Sequence, residues 1–298
     1  MREKDTVSTD TFVEGYVTSQ NGLSLYYRDY GPKYGAAIPV LCLHGLTRNC
    51  RDFDIFAKSL MDKRRVICPD IRGHGNSDRD KNWRNYHPSV YVDDVRHIIS
   101  ALNLKHVFVV GTSMGGIMAM IMGVVMPTAI VGVLINDVGP DIDDHGLDNI
   151  ISYVNRADQV FKDWDAAASF LKASFPHAPA MDSDEWLRVA RRTGIERPDG
   201  TVINNWDPGI TKSLKKQRRG TALWGLFRSL KRIPVVVVRG FFSDILSGNT
   251  LLRMQDILPR MHPVIVPESG HAPTLSEPQV WEPLNDALAK AESANSWN

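Results

Sequence analysis

The chain has 298 residues, 43% hydrophobic and 23% charged, with 35 lysines and arginines against 34 aspartates and glutamates. That length buries a substantial core, and such ordinary usage excludes wholesale disorder. A net charge of +1 leaves no global field to attract nucleic acid or an anionic membrane, so the expected partner is a small molecule, bound by a monomer or a homodimer.

The first residues, Met1-Arg2-Glu3-Lys4-Asp5, are charged and run into threonine and serine, without the apolar segment of a secretory signal. The longest apolar stretch, 117–126, is too short to span a bilayer and contains Gly123. A cytoplasmic protein is expected. Cys42, Cys50 and Cys68 show no zinc spacing and read as structural thiols, and no metal or cofactor is called for.

In chain order, the alternation in Phe12-Val13-Glu14-Gly15-Tyr16-Val17 and in Leu23-Ser24-Leu25-Tyr26-Tyr27, broken by Asn21-Gly22, predicts an antiparallel hairpin. Short apolar strands follow at 38–43, 65–68, 107–110, 130–135, 234–238 and 264–266. Helical periodicity falls between or beyond them at 53–61, 89–102, 114–126, 250–258 and 278–291, with a frayed tail from Ser293. Fully apolar strands alternating with helices belong to a parallel sheet covered on both faces. The fold class is therefore α/β, with a mostly parallel eight-stranded sheet once the hairpin is counted.

Residues 140–230 contain no apolar strand and are too long for a loop. They read as an inserted helical cap, with 1–139 and 231–298 as the core. Within the insertion, Asp182-Ser183-Asp184-Glu185 predicts a capping box for a helix that stops at Gly194, and 166–175 has amphipathic spacing. Pro198-Asp199-Gly200 marks a turn, and the basic run from Lys212 to Arg219 reads as a solvated face.

Chemistry concentrates at the strand ends. Gly111-Thr112-Ser113-Met114-Gly115 joins an apolar strand directly to a helix, a sharp turn whose flanking glycines permit strained backbone and whose hydroxyl is pushed outward. A serine nucleophile needs a base and a carboxylate that orients the base. His271 lies in Gly270-His271-Ala272-Pro273 after the last strand, and Asp244 follows the 234–238 strand. Asp137, just beyond the 130–135 strand, is the rival for the acid and otherwise braces the entry to the insertion. Asp70, Arg72 and His74 form no clean zinc set and read as loop scaffolding.

With His44-Gly45-Leu46, the run 70–77, Gly111 to Gly116, the run 239–244 and Gly270 to Pro273 all in register at strand ends, the chain resembles the α/β-hydrolase superfamily in its capped serine-hydrolase branch. The resemblance implies an oxyanion hole made by the backbone amides of Leu46 and Met114, and a serine hydrolase acting on a small carboxylic ester or lactone. Serine at position 113 argues against the dehalogenase and epoxide-hydrolase members, which work through a carboxylate. Hydrolysis of a carbon–carbon bond beside a ketone, or a non-catalytic receptor on the same fold, are the other readings. His44 is expected to hold the oxyanion loop at the pocket edge. Trp164, Trp186 and Trp224 are expected to contribute to the pocket from the aromatic-rich insertion, and Arg48 and Arg72 are candidates to meet a substrate carboxylate.

Overall fold

The predicted hairpin is present as β1 (Phe12–Thr18) and β2 (Ser24–Tyr30), paired in register from Phe12–Tyr30 to Thr18–Ser24 in the computed structural model. The structure describes residues 12–156, 158–175, 181–216 and 223–295. After the hairpin come β3 (Val40–Leu43), α1 (Asp54–Leu60), β4 (Val66–Pro69), α2 (Pro88–Ala101), β5 (Val107–Thr112), α3 (Met114–Val125) and β6 (Ile130–Asn136). The insertion contributes α4 (Asp144–Val154), β7 (Val160–Phe161), α5 (Trp164–Ser174), α6 (Ser183–Thr193), β8 (Gly194–Glu196), β9 (Val202–Asn204), α7 (Gly209–Lys216) and α8 (Trp224–Arg228). The chain closes with β10 (Val235–Gly240), α9 (Gly248–Ile257), β11 (His262–Val266) and α10 (Pro278–Asn295). The helix therefore runs through the start of the expected tail, and 296–298 lie outside the described residues.

The main sheet has eight strands in the order β1-β2-β4-β3-β5-β6-β10-β11. It is antiparallel at β1-β2-β4 and parallel from β4 onward. Side-chain alternation sorts each central strand into two apolar layers. Leu41, Leu43, Val107, Val109, Val235 and Val237 join the layer under α2 and α3, and Val40, Cys42, Phe108, Val110, Val236 and Val238 join the layer under α1 and α10. Both faces are thus dry, which is why the strands read as unbroken apolar runs.

The insertion is not wholly helical. β7, β9 and β8 form a three-stranded antiparallel sheet, each strand two or three residues long and too short to leave a period-two signal. Pro198-Asp199-Gly200 closes the β8–β9 hairpin: Gly200 has φ 82°, Asp199 Oδ1 accepts from the Thr201 amide at 3.0 Å, and the Arg197 amide reaches the Thr201 carbonyl at 2.7 Å. The capping box of α6 forms as expected, the Glu185 amide donating to Asp182 Oδ1 at 2.8 Å and the Asp182 amide to Glu185 Oε2 at 3.2 Å. The basic run ends α7, and its continuation at 217–219 lies outside the described residues.

Backbone bonds tie the insertion to the core. The Gly75 amide donates to the Asn205 carbonyl at 3.0 Å and the Asp207 amide to the Gly73 carbonyl at 2.7 Å. Among the described residues, no helix is long and apolar enough to cross a membrane.

Candidate active site

β5 passes into α3 through one residue, Ser113, whose φ of 53° and ψ of −114° lie in a region disfavoured for a residue with a Cβ. The glycines around it are required by contact. A Cβ on Gly115 would sit 2.0 Å from the Leu43 carbonyl oxygen, and one on Gly111 would sit 2.3 Å from that of Gly115. The Ser113 side chain makes no cap bond to α3, so its hydroxyl is left for another partner.

That partner is His271, on the loop after β11. Its Nε2 lies 3.0 Å from Ser113 Oγ, and its Nδ1 lies 2.7 Å from Oδ2 of Asp137. With Nδ1–H donating to the carboxylate, the Nε2 lone pair faces the serine hydroxyl. Asp137 is fully buried, with a φ of 56° at the end of β6, and accepts two more bonds, from the Gly240 amide to Oδ1 at 2.8 Å and from Ser243 Oγ to Oδ2 at 2.6 Å.

The acid position read at Asp244 is therefore corrected to Asp137. The loop after β10 folds back on Asp137 through Gly240 and Ser243 and carries Asp244 away toward α4, where its Oδ2 accepts from Asn149 Nδ2 at 2.9 Å. Gly146 of α4 packs so closely on this loop that a Cβ there would meet the Asp244 carbonyl at 2.0 Å.

Leu46 and Met114 line the same cavity as Ser113, and neither backbone amide finds an acceptor among the described residues. Met114 opens α3, where the first amides have no intrahelical partner. The peptide unit that carries the Leu46 amide is held by His44. His44 Nδ1 donates to the Gly45 carbonyl at 2.8 Å while Nε2 accepts from the Ile71 amide at 3.0 Å, which fixes a neutral tautomer. The Gly45 carbonyl and the Leu46 amide belong to one planar peptide unit, so holding one end sets the direction of the other. His74 supports the next peptide, its Nε2 lying 2.6 Å from the Leu46 carbonyl. His44 is completely buried and does not line the cavity described below, a correction to its expected place at the pocket edge.

Burial, with the neighbouring His74 ring, pushes the His44 pKa down to about 3, and burial also lowers that of His74. The folded chain then takes up no proton at His44 until near pH 3, whereas the unfolded chain takes one up below about 6.5. Stability is full above the unfolded value and falls as pH drops from there toward 3. We expect His44 alone to remove about 2 kcal/mol between pH 8 and pH 5, with His74 acting in the same direction. Urea unfolding at the two pH values measures this, and equal free energies would contradict it.

A cavity of about 1020 Å³ opens above Ser113, Met114 and Leu46. Aliphatic residues such as Ile117, Ile121, Leu147 and Ile150 dominate its wall. The expected tryptophans are elsewhere: Trp164 donates to Glu196 Oε2 at 2.9 Å, Trp186 is buried in the insertion's own packing, and Trp224 lies under Arg253, 4.1 Å from ring centroid to guanidinium carbon. The lining aromatics are instead Trp83, Tyr86 and Tyr91, just before and within α2, where the sequence shows only the approach to a helix. Arg48 is held by both oxygens of Asp52, and its stem, not its charge, packs near Gly45. Arg72 is equally committed, to Asp94 and Asp80.

Residues 40–282 match the model of the alpha/beta hydrolase family. The chain belongs to this family. Among its relatives, the 3-hydroxybutyrate-oligomer hydrolase of Cupriavidus necator is 32% identical over 85% of this chain and 88% of its own length. The 2-(acetamidomethylene)succinate hydrolase of Mesorhizobium japonicum is 27% identical over 83% of this chain and 86% of its own. A crystal structure of an alpha/beta hydrolase from Novosphingobium aromaticivorans superposes with a TM-score of 0.87 at 34% identity, covering 95% of this chain and all of that one. The family and fold expected from the strand-end motifs are met, and the alpha/beta hydrolase described here carries its serine, histidine and aspartate at the ends of β5, β11 and β6.

Proposed function

We propose that this hydrolase cleaves carboxylic esters or lactones without a cofactor, through an acyl-enzyme on Ser113. One observation carries the reading: the unbroken hydrogen-bond chain from Ser113 Oγ through His271 to buried Asp137, at the floor of a large apolar cavity.

In this mechanism His271 Nε2 takes the hydroxyl proton as Ser113 Oγ attacks the ester carbonyl, and Asp137 stabilises the imidazolium without itself accepting a proton. The developing oxyanion is met by the amides of Leu46 and Met114, each worth about 3 kcal/mol to the transition state. Because His44 grips the far end of the Leu46 peptide unit, that donor is oriented before substrate arrives. His271 passes its proton to the departing alkoxide, takes one from water as the water attacks the acyl group, and returns it to Ser113 Oγ as the acid leaves. The apolar wall excludes bulk water and suits a carbon-rich substrate. The Cupriavidus necator relative, named for an oligomer of a hydroxy acid, supports an extended ester as substrate.

Labelling with a fluorophosphonate tests the nucleophile. The wild type is expected to label, and Ser113→Ala to label less than about one hundredth as fast. Undiminished labelling of the alanine variant would sink the assignment. Simple esters, lactones and a vinylogous diketone assayed side by side separate the reaction types, and turnover of the diketone alone would favour carbon–carbon cleavage. Ligand-dependent melting without turnover would favour a receptor.

A further inference from the structure

We propose that the cavity selects esters whose far end is a free carboxylate, anchored by Arg84 and Lys215 on the rim built by residues 83–88 and α7. This rests on the ester reading above. Aliphatic side chains dominate the wall, with Arg84 and Lys215 as its arginine and lysine members and Asp141 and Asp144, at the entry to α4, as its carboxylates. A carboxylate at the far end of a substrate is attracted to the first pair.

Arg84 and Lys215 are carried by joined elements. α7 is fastened to the 83–88 segment by Ser213 Oγ, which donates to the Tyr86 carbonyl at 2.6 Å, so Lys215 and Arg84 are presented by elements locked together. Arg84 lies with its guanidinium carbon 4.7 Å from the centroid of Trp83, itself a lining residue. Stacking restricts the guanidinium while leaving its fork of donors available for the two oxygens of a carboxylate. Neither Arg84 nor Lys215 has a carboxylate within ion-pair distance among the described residues. A volume of about 1020 Å³ has room for a chain running from the serine to this rim, beyond what a short monomeric ester fills. The substrate class is an aliphatic ester ending in a carboxylate. Both a linear oligoester of a hydroxy acid and a half-ester of a dicarboxylic acid have that chemistry.

The test compares kcat/KM for free acids and their methyl-capped counterparts: a linear trimer of 3-hydroxybutyrate and its terminal methyl ester, and monomethyl and dimethyl adipate. The wild type is expected to prefer the free acid by about tenfold in at least one pair, and the pair that responds identifies the source. The preference is expected to shrink in 0.5 M salt and to approach unity in Arg84→Gln/Lys215→Gln, with melting temperature monitored alongside. Equal turnover of acid and capped ester by the wild type, or a preference surviving both salt and the double substitution, overturns the proposal. p-Nitrophenyl butyrate separates the two levels. If the wild type hydrolyses it no faster than Ser113→Ala does, the ester reading itself fails; if only the acid preference is missing, the anchor alone fails.

Discussion

Asp137→Asn is expected to lower kcat for ester hydrolysis by about 10⁴-fold with little change in KM, whereas Asp244→Asn is expected to change kcat by less than about threefold. The size of the first effect follows from which amide atom lands where. The Gly240 amide donates to Oδ1 of Asp137 at 2.8 Å, so the asparagine carbonyl oxygen is held in that position. Its NH2 group then takes the place of Oδ2 and faces His271 Nδ1, 2.7 Å away in the native protein. Two donors cannot share that line, so the imidazole carries its proton on Nε2 and presents a donor to Ser113 instead of a lone pair. Asp244, bonded to Asn149 on α4, never enters that circuit. Steady-state kinetics on p-nitrophenyl butyrate, with circular dichroism to verify folding, decide the matter. A large loss at Asp244 with activity retained at Asp137 would reverse the assignment.

Arg72→Ala is expected to cost about 3–5 kcal/mol of unfolding free energy. Arg72 donates to both oxygens of Asp94, at 2.6 and 2.5 Å, and through Nη1 to Asp80 at 2.7 Å. Arg72 and Asp94 are 3% and 1% exposed, so removing the guanidinium strands a carboxylate where water cannot replace the lost partner. Burial already raises the Asp94 pKa, and without Arg72 nothing comparable opposes that rise. Pairing Arg72→Met with Asp94→Leu removes both charges and is expected to recover much of the loss. Urea unfolding measures all three proteins. An unchanged midpoint in Arg72→Ala, joined to a raised KM for an anionic ester, would instead return Arg72 to the substrate site.

A position at a strand end does not by itself distinguish the two acids. Asp137 and Asp244 both follow parallel strands that are neighbours in the sheet, β6 and β10, and each sits where ligands are approached. Local pattern treats them alike. What separates them is a fold-back of the β10 loop, made by one backbone amide and one hydroxyl that reach across 103 and 106 residues. The tryptophans of the insertion failed as pocket residues for a related reason. Large aromatics fill cores as readily as they line cavities, and Trp164, Trp186 and Trp224 are consumed by packing and by polar partners of their own. The residues that do line the cavity on the aromatic side, Trp83, Tyr86 and Tyr91, lie ahead of and inside a helix with no local mark of function.

Arg48 and Arg72 show the same limit for charge. Arg48 is bound by Asp52 only four residues on, a pair that short spacing already permits, whereas Arg72 is bound by Asp94, 22 residues away, as well as by Asp80. Arg84 and Lys215 have no such counterions among the described residues, and α7, which carries Lys215, packs against a turn more than a hundred residues earlier in the chain.

What the amino-acid sequence determined by itself was everything that rests on neighbours along the chain. Apolar runs without alternation specify strands buried on both faces. The Gly-x-Ser-x-Gly turn specifies a strained serine between strand and helix, because a Cβ at Gly111 would meet the carbonyl oxygen of Gly115, four residues on. The Asp182–Glu185 capping box closes within four residues. The tertiary structure alone decided which carboxylate meets His271, which arginines remain unpaired and which side chains face the cavity. Each of those is a contact between segments brought together by the sheet order, and a one-dimensional pattern carries no distance across that sheet.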